Sequence, residues 1–332
     1  MLRKTDAWSD IRRAVENIAN TENSYYVSAK RDVAGRTYRI DELMNDGSSL
    51  PTMPEMSEFS ENGFSQLASR LEFPAKFMRE LVLDGHDDLA ETIIQTKSDD
   101  FFGRDKTKDL FFREFNGKIH GVLSDRYSVF DDKEILPILE SSEYLMGATE
   151  FWYDISPDYF HTRFVSPNKL HIGNDPSPFS LCVFVDNSMV GRSMFRIRFG
   201  LYRWACTNGV IFGLKEFVLI KERHIGEKDW MKVVAEATLD AKKYEDMLIQ
   251  MAEKMQEDAS AIYNMTDEQA VTYIKTRLTT TAKKAEEIIE VYNTVYGGFS
   301  KWDLCNAITE VAHNVGNVEN RILFEERALK VA

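Results

Sequence analysis

The chain has 332 residues, of which 43% are hydrophobic, and its 41 Lys and Arg against 54 Asp and Glu give a formal net charge of −13. This apolar content suffices for one large core or two smaller ones, and it excludes intrinsic disorder, a collagen-like repeat and a disulfide-stapled mini-protein. The acidic total also argues against a protein that coats duplex DNA by bulk charge.

The sequence carries no targeting or disulfide signal. Its first residues run into a charged amphipathic stretch, without the basic segment, apolar core and cleavage site of a signal peptide. No apolar run approaches the roughly 20 residues that cross a bilayer. Cys182, Cys206 and Cys305 are too few and too widely spaced for a disulfide framework or paired zinc ligands. We therefore expect a cytoplasmic protein with no membrane contact.

The first third of the sequence has helical periodicity. Apolar residues at helical spacing predict a helix over residues 6–20, with Thr5 as its N-cap. A short helix follows over 64–71, and Pro74 marks the start of another. We therefore expect residues 1–105 to form a mostly helical N-terminal region.

The middle third has the patterns of β-strands. Residues 110–115 and 118–123 flank Asn116-Gly117, a strong signal for a two-residue hairpin turn. Further strand candidates lie close together along the chain, at 150–153, 160–165, 179–186, 194–200 and 209–220. With no long helix between most of them, they favour an antiparallel or mixed sheet. Residues 106–226 are the expected β-rich core.

The last third of the sequence is helical. An apolar stripe from Trp230 to Met255 predicts a helix of about seven turns. Thr266 and Gln269 form a capping-box pattern that opens one further helical segment, ending at Gly297. Two final helices are predicted at 302–314 and 319–330.

These patterns together predict an α+β protein. It has a central twisted antiparallel or mixed sheet, N-terminal helices, and a C-terminal helical subdomain over residues 227–332 that covers one face of the sheet. We expect the three regions to form one integrated fold.

The sequence lacks the usual enzymatic signatures, namely a Walker loop, GxGxxG, GxSxG and HExxH. The pairs Asp87-Asp88, Asp99-Asp100 and Asp131-Asp132 would suit a two-metal nuclease only if they converged from separate elements. Adjacent aspartates are more often solvated turn formers. His161 and His171 could lie on neighbouring strands, but surface or hydrogen-bonded histidines are commoner than ligands. We expect a non-enzyme without metal or cofactor.

The basic residues are concentrated in one segment. Residues 160–225 carry nine basic and four acidic side chains, so this segment has a net charge of +5 and the rest of the chain has a net charge of −18. Arg196 and Arg198 alternate with apolar residues and share the strand face of Arg192. Arginines at every second position stand about 7 Å apart, close to the phosphate spacing of a nucleic-acid strand. The candidate nucleic-acid contacts are Arg192, Arg196, Arg198, Arg203, Lys215, Lys221 and Arg223.

An alternative explanation of the same pattern is structural. An ordinary amphipathic strand can carry arginines that pair with acidic residues across the sheet, and an acidic chain offers many such partners. The sequence leaves both explanations open.

Several blocks of sequence together form a family signature. They are Leu67-Ala68 through Phe73-Pro74, Leu123-Ser124-Asp125-Arg126-Tyr127, Asn187-Ser188-x-x-Gly191, Arg203-x-x-Cys206-x-Asn208-Gly209, His224-x-Gly226 and Trp302-x-x-x-Asn306-Ala307-x-Thr309. From about residue 60 to the end, the chain resembles the phage- and plasmid-borne family catalogued as domain of unknown function nine-three-two. One departure is Met189, where that family commonly has Glu. The signature residues are Asp125, Arg126, Tyr127, Asn187, Ser188, Gly191, Cys206, Asn208, Gly209 and His224.

The resemblance implies a mobile-element protein in the cytoplasm of a bacterial host, with no settled activity. Arg126 fits either a buried ion pair or a binding groove. Together with the basic strand, the resemblance leads us to expect a homo-oligomeric phage protein that binds single-stranded nucleic acid, as an annealing or recombination accessory factor. The alternatives are a host-protein-binding factor that acts in anti-defence or host takeover, and a metal-dependent nuclease or hydrolase.

Overall fold

The computed structural model describes residues 3–28, 56–104, 109–141, 148, 150–204, 208–211, 218–230, 232–234, 241–316 and 318–332. Within these ranges the protein is an α+β fold with two antiparallel sheets. Its strands are β1 (Arg3–Thr5), β2 (Tyr25–Ser28), β3 (Asp109–Phe115), β4 (Lys118–Ser124), β5 (Glu150–Ile155), β6 (Phe160–Val165), β7 (Phe179–Asn187), β8 (Phe195–Arg203), β9 (Asn208–Ile211) and β10 (Val218–Glu222). Its helices are α1 (Trp8–Ala19), α2 (Glu61–Leu71), α3 (Ala75–Leu83), α4 (Asp87–Arg104), α5 (Asp132–Ser141), α6 (Ala241–Glu257), α7 (Asp267–Leu278), α8 (Ala282–Thr294), α9 (Lys301–His313) and α10 (Val318–Val331).

The larger sheet has the strand order β1-β5-β6-β7-β8-β10, and every pairing is antiparallel. Strand β8 has β7 on one side. On its other side, β10 pairs with its first half and β9 with its second half. Strand β8 has neighbours along both edges. Whether its side chains are buried or exposed therefore depends on which elements cover the two faces of the sheet.

Helices cover both faces of the larger sheet. The alternation predicted for β8 is confirmed, because Phe195, Ile197 and Phe199 lie in the main core together with residues of α6 to α9. On the opposite face, Val318 and Ile322 of α10 pack against side chains of β6, β7 and β8. The C-terminal helices therefore cover both faces of the sheet and not the single face predicted, with α6 to α9 over the apolar face and α10 over the polar face.

The smaller sheet consists of β2, β3 and β4 and packs against α2, α3 and α4. Its β3–β4 hairpin confirms the predicted turn, because Asn116 and Gly117 have φ of 51° and 73°, the left-handed conformation that this turn requires. A small cluster of Phe115, Met189 and Val190 joins this layer to the larger sheet. Met189 is thus a buried apolar contact between the two layers.

Two predicted helix boundaries differ from the structure. Thr5 lies in β1, and the N-cap of α1 is Ala7, which makes no side-chain capping bond. The helical segment that Thr266 opens is two helices, because Thr279 adopts a left-handed φ of 57° and Thr281 caps a new helix, α8. The capping box of Thr266 and Gln269 is itself confirmed.

The paired aspartates do not lie in polar turns. Asp87 and Asp88 begin α4, where carboxylates interact favourably with the helix dipole. Asp99 and Asp100 belong to the end of the same helix. The third pair stands at the start of α5 and is buried. Sequence patterns missed α4 and α5 because their acidic ends look like turns.

Parts of some predictions lie outside the described residues. Cys206, Lys215 and the middle of the long helix predicted between Trp230 and Met255 are among them. Trp230 and the described end of that segment, α6, both contribute to the main core. Within the described residues, no helix has the length and apolar content to cross a bilayer.

Candidate functional site

Arg196 and Arg198 of β8 form ion pairs with carboxylates from β7 and α10. Arg198 is 2% exposed and forms ion pairs with Asp186 and Glu326. Arg196 reaches the same two acids, with its guanidinium nitrogens 3.6 Å from Asp186 Oδ2 and 3.1 Å from Glu326 Oε1. Burial alone would raise the pKa of Asp186, but Arg198 and His161 outweigh it and hold that pKa below its usual range. These charges therefore form one closed network.

Other arginines on this face are engaged in the same way. Arg163 pairs with the buried Glu325, and Arg192 Nη2 lies 2.9 Å from Glu319 Oε2. Helix α10 thus supplies acidic partners to arginines of β6, of β8 and of the segment between β7 and β8. We call this set the α10 ion-pair layer, and it comprises Arg163, Asp186, Arg192, Arg196, Arg198, Glu319, Glu325 and Glu326.

This layer corrects the expectation of an open basic groove at Arg196, Arg198 and Arg203. Arg198 is buried under α10, Arg196 is largely covered, and Arg203 is 8% exposed with a nitrogen 2.9 Å from Asp175 Oδ1. Pairing with acids, the alternative left open by the sequence, describes these three residues. Of the other predicted contacts, Arg192, Lys221 and Arg223 are exposed.

Most of the residues predicted to form a family signature lie at the opposite end of β8 from Arg203. The hydroxyl of Tyr127 donates to the backbone oxygen of Ser188 at 3.0 Å, and its ring stacks on His224 at 5.2 Å. Gly191 has a φ of 68°, and a Cβ there would lie 2.8 Å from the Leu123 side chain. A glycine is required at this position because both its backbone conformation and the close approach of the hairpin exclude a side chain.

Asn187 and Ser188 anchor the turn that follows β7. The Asn187 side chain donates to Phe130 O at 3.0 Å and to Asp132 Oδ1 at 2.8 Å. Ser188 Oγ donates to the backbone oxygen of Asp158 at 2.7 Å and accepts from the Arg192 amide at 2.9 Å. Both residues are buried, so they position the turn rather than contact a ligand.

The remaining signature residues lie elsewhere. Asn208 and Gly209 belong to β9, where they pair with Arg203 and Tyr202 at the far end of β8. That end is about 27 Å from the start of the strand, at roughly 3.4 Å per residue. The signature residues therefore lie at two separate places in the fold, and the first of these places is concave.

The concave place consists of two adjoining cavities of about 790 and 450 Å³. We call them together the motif groove. Arg70, Leu123, Ser124, Arg126 and Gly191 line both lobes. The larger lobe extends along α2 and α4, and the smaller lobe reaches the segment around His224. The groove therefore lies between the N-terminal helices and the signature residues.

The motif groove contains cations that lack acidic partners. Among the described residues, none of Arg70, Arg126 and Arg223 has a carboxylate within ion-pair distance. The pKa of Arg70 is lowered by burial and by the nearby Arg126, an effect that Asp125 partly offsets. Two adjacent guanidinium groups without a paired carboxylate favour the approach of an anion.

A neutral histidine lies in the wall of the smaller lobe. Burial, reinforced by Lys228 and Arg113, lowers the pKa of His224 to about 4, so its ring is neutral at pH 7. The Nδ1–H therefore donates to Ser128 O, 3.2 Å away. Nε2 is then an acceptor, and it is buried with no hydrogen-bond partner in the described structure.

A buried acidic cluster lies beneath the groove. Arg113 is 2% exposed and pairs with Glu22 and Asp131. Asp132 is buried beside Asn187, and burial raises its pKa to about 7. These carboxylates already have internal partners and do not line either lobe, so they belong to the packing behind Tyr127.

Neither the histidines nor the aspartates converge on a metal centre. In the part of the chain that the structure describes, no group of three or more His, Cys, Asp or Glu side chains could hold a metal ion. His161 pairs with Asp186 on β7, whereas Leu170, the neighbour of His171, bridges to Phe179. The two histidines are therefore near opposite ends of β7.

Sequence reasoning missed Arg70 as a groove residue. It lies on α2, more than 50 residues before Arg126, and nothing in the local pattern distinguishes it from a solvated helix charge. Arg126 is exposed at the groove, which excludes the buried ion pair as its role, whereas its part in binding stays a prediction.

Comparison with known proteins places the chain in a family. No curated protein and no solved structure matches it. The family described as Domain of unknown function (DUF932) matches residues 119–330, which run from β4 to α10 and include the signature residues but not Arg70. Because this match covers more than half of the sequence, the chain belongs to the DUF932 family.

Proposed function

We propose that this protein binds single-stranded nucleic acid, with phosphates of the strand held in the motif groove. The observation that carries the proposal is that Arg70, Arg126 and Arg223 all line the smaller lobe, and that none of them has a carboxylate within ion-pair distance among the described residues. The excess of cation is confined to the smaller lobe, whose lining includes four arginines and no acidic residue among the described residues. In the larger lobe the basic residues are matched by Glu72, Asp100, Asp109 and Asp125. In a chain of net charge −13, the unbalanced smaller lobe is a specific feature. Phosphate is the anion that guanidinium groups bind with the best geometry.

The shape of the groove favours a single strand over a duplex. Each lobe has a volume typical of a ligand pocket, so it can accept a nucleotide that is splayed out of a stack. A duplex would bring a dense phosphate array against an acidic protein surface, with an electrostatic penalty over most of its length.

The proposed contacts are only partly those expected from the sequence. Of the expected contacts, Arg192 and Arg223 line the smaller lobe, and Arg70 and Arg126 join them there. Lys221 is exposed on β10 but lines neither lobe. In this proposal three of the expected contacts stabilise the fold and do not contact the nucleic acid. They are Arg196, Arg198 and Arg203, whose guanidinium groups already form ion pairs with carboxylates.

In this proposal the protein is a non-enzymatic accessory factor of a phage or plasmid that anneals or protects single strands, as a homo-oligomer. A second candidate, a factor that binds a basic host protein, is favoured by the tip of the α3–α4 hairpin. There Leu83 is 84% exposed and Leu89 is 50% exposed, and Asp84, Asp87 and Asp88 surround them.

The proposal is tested by fluorescence anisotropy with a labelled mixed-sequence DNA strand between 20 and 200 mM salt. We expect the wild-type protein to bind with a steep salt dependence. Arg70→Ala and Arg126→Ala should each weaken binding several-fold at low salt and reduce the salt slope by about 0.7, the value for one phosphate contact on a single strand.

Arg13→Ala is the matched control, because Arg13 is an exposed arginine on α1 outside the groove. It should leave the affinity and the salt slope unchanged. Salt-insensitive or absent binding by the wild-type protein would refute the proposal. A protein partner that is retained from bacterial lysate after nuclease treatment, and lost with Leu83→Asp, would favour the second candidate.

A further inference from the structure

Residues 83–89, at the turn between α3 and α4, form an exposed surface that is both apolar and acidic. Every residue of this segment is exposed, and Leu83 and Leu89 keep 84% and 50% of their surface accessible. Asp84, Asp87 and Asp88 lie between the two leucines, and none of them has a cation within ion-pair distance among the described residues. Exposed leucines beside unpaired carboxylates are typical of a surface that meets a partner. We call residues 83–89 the α3–α4 tip.

The smaller lobe of the motif groove is concave and has the opposite charge. Its lining includes four arginines and no acidic residue among the described residues. Ile225, which is 54% exposed, also lines this lobe, and Met194 adds further apolar surface. The tip and the lobe therefore both combine apolar side chains with charge of one sign, acidic in the tip and basic in the lobe. Complementary charge of this kind guides association and fixes its orientation.

The tip cannot reach the smaller lobe of its own chain. Among the described residues, the first residue of α4 to line the groove is Lys97, in the larger lobe, and no residue of α3 or α4 lines the smaller one. Lys97 lies about 15 Å along the helix from Asp87, at 1.5 Å per residue. Between them Ala90 and Ile94 are buried in the core of the N-terminal layer and hold the helix in place. A contact between a tip and a smaller lobe therefore joins two copies of the chain.

We infer that the α3–α4 tip of one copy docks in the smaller lobe of a second copy, with its leucines against Ile225 and its aspartates against the arginines. Every copy offers one tip and one lobe, so the contact either closes a symmetric dimer or continues head to tail. The tip is much smaller than the roughly 20 to 30 residues that each partner contributes to a standard interface, so the association is weak and reversible. This inference goes beyond the proposed function. At any one lobe, a tip and a nucleic-acid strand exclude each other because they use the same guanidinium groups.

The test is sedimentation velocity of the full chain at low salt, from about 1 to about 200 μM protein, a range suited to a weak interface. The sedimentation coefficient of the wild-type chain should rise with concentration, and about 0.3 M salt should lower it because exposed ion pairs are screened. A tip variant, Leu83→Ser with Asp84→Lys, and a lobe variant, Arg126→Ala with Arg223→Ala, should each stay monomeric. All four substituted side chains are exposed, so both variants keep the fold.

An equimolar mixture of the two variants decides whether the tip meets the lobe. The lobe variant keeps an intact tip and the tip variant keeps an intact lobe, so the mixture should form heterodimers although neither variant associates alone. Val295→Ser is the matched control, because Val295 is 59% exposed just after α8, and it should associate like the wild-type chain.

Three results would overturn the inference. They are a wild-type chain that stays monomeric, a tip variant or lobe variant that associates like the wild-type chain, and a mixture that stays monomeric. Salt-sensitive strand binding by a monomeric wild-type chain would leave the proposed function standing. Self-association that the tip and lobe variants abolish, in a chain that binds no strand, would leave this inference standing and remove the proposed function.

Discussion

Two sets of arginines in this protein have opposite surroundings. In the α10 ion-pair layer, Arg198 is almost wholly buried and meets carboxylates from two different elements. In the motif groove, Arg126 is exposed and has no carboxylate within ion-pair distance among the described residues. The two sets lie in one protein of net charge −13, so charge content alone does not distinguish them.

The difference shows that the neighbouring elements, and not the strand pattern, decide what an arginine does. An arginine covered by an acidic helix contributes to folding, because its charge is satisfied inside the protein. An arginine at a concavity between two layers keeps its charge available to a ligand. We therefore expect substitutions in the α10 ion-pair layer to lower stability, and substitutions in the motif groove to lower the affinity for nucleic acid.

The largest effect is expected from Arg198→Ala. The substitution leaves Asp186 and Glu326 without their principal cation, and breaking a buried ion pair by removing one partner costs about 3–5 kcal/mol. Urea unfolding followed by circular dichroism should show this loss in the free energy of unfolding.

Arg223→Ala is the matched change in the groove, and it should alter the free energy of unfolding by less than about 0.5 kcal/mol. A similar loss of stability in both variants would break the comparison. So would a folded Arg198→Ala protein whose affinity for a DNA strand falls as far as that of Arg126→Ala.

The second effect concerns two buried carboxylates whose pKa values move in opposite directions. Asp186 has Arg198 beside it and a lowered pKa, whereas burial raises the pKa of Asp132, below the groove, to about 7. Between pH 4 and 7 the native protein therefore binds a proton at Asp132 that the unfolded chain releases. This group makes stability fall as pH rises through that window, by up to about 4 kcal/mol.

Asp132→Asn checks this sign. The amide oxygen can still accept from Asn187, but the residue no longer titrates, so the free energy of unfolding should decline less between pH 5 and 8 than in the wild-type protein. Asp125→Asn, an exposed change at the groove, serves as the control and should leave the pH profile unaltered. An identical decline in Asp132→Asn and the wild-type protein would contradict the expectation.

The local parts of this fold could be predicted, and the distant contacts could not. Asn116-Gly117 specified its hairpin because the turn conformation depends on those two residues alone. The alternation of apolar and polar residues likewise predicted the correct faces of β8, because it too depends only on neighbouring residues. The partners of Arg198, however, include Glu326, which lies 128 residues further along the chain. No periodicity records such a contact, and the same holds for Arg70 at the groove.

Arg192 belongs to both regions and allows the finest test of the comparison. It lines the smaller lobe of the groove, and its guanidinium lies 2.9 Å from Glu319 at the start of α10. Both side chains are about two-fifths exposed, so the pair is worth at most about 1 kcal/mol of stability. Glu319→Gln should free the arginine for the groove, raising the affinity for a DNA strand about 2-fold at low salt with little loss of stability.

Glu326→Gln, further along the same helix, should lower stability without raising the affinity, because the arginines that it frees stay covered by α10. If both variants raise the affinity equally, the α10 ion-pair layer is open to nucleic acid and the two sets of arginines form one surface.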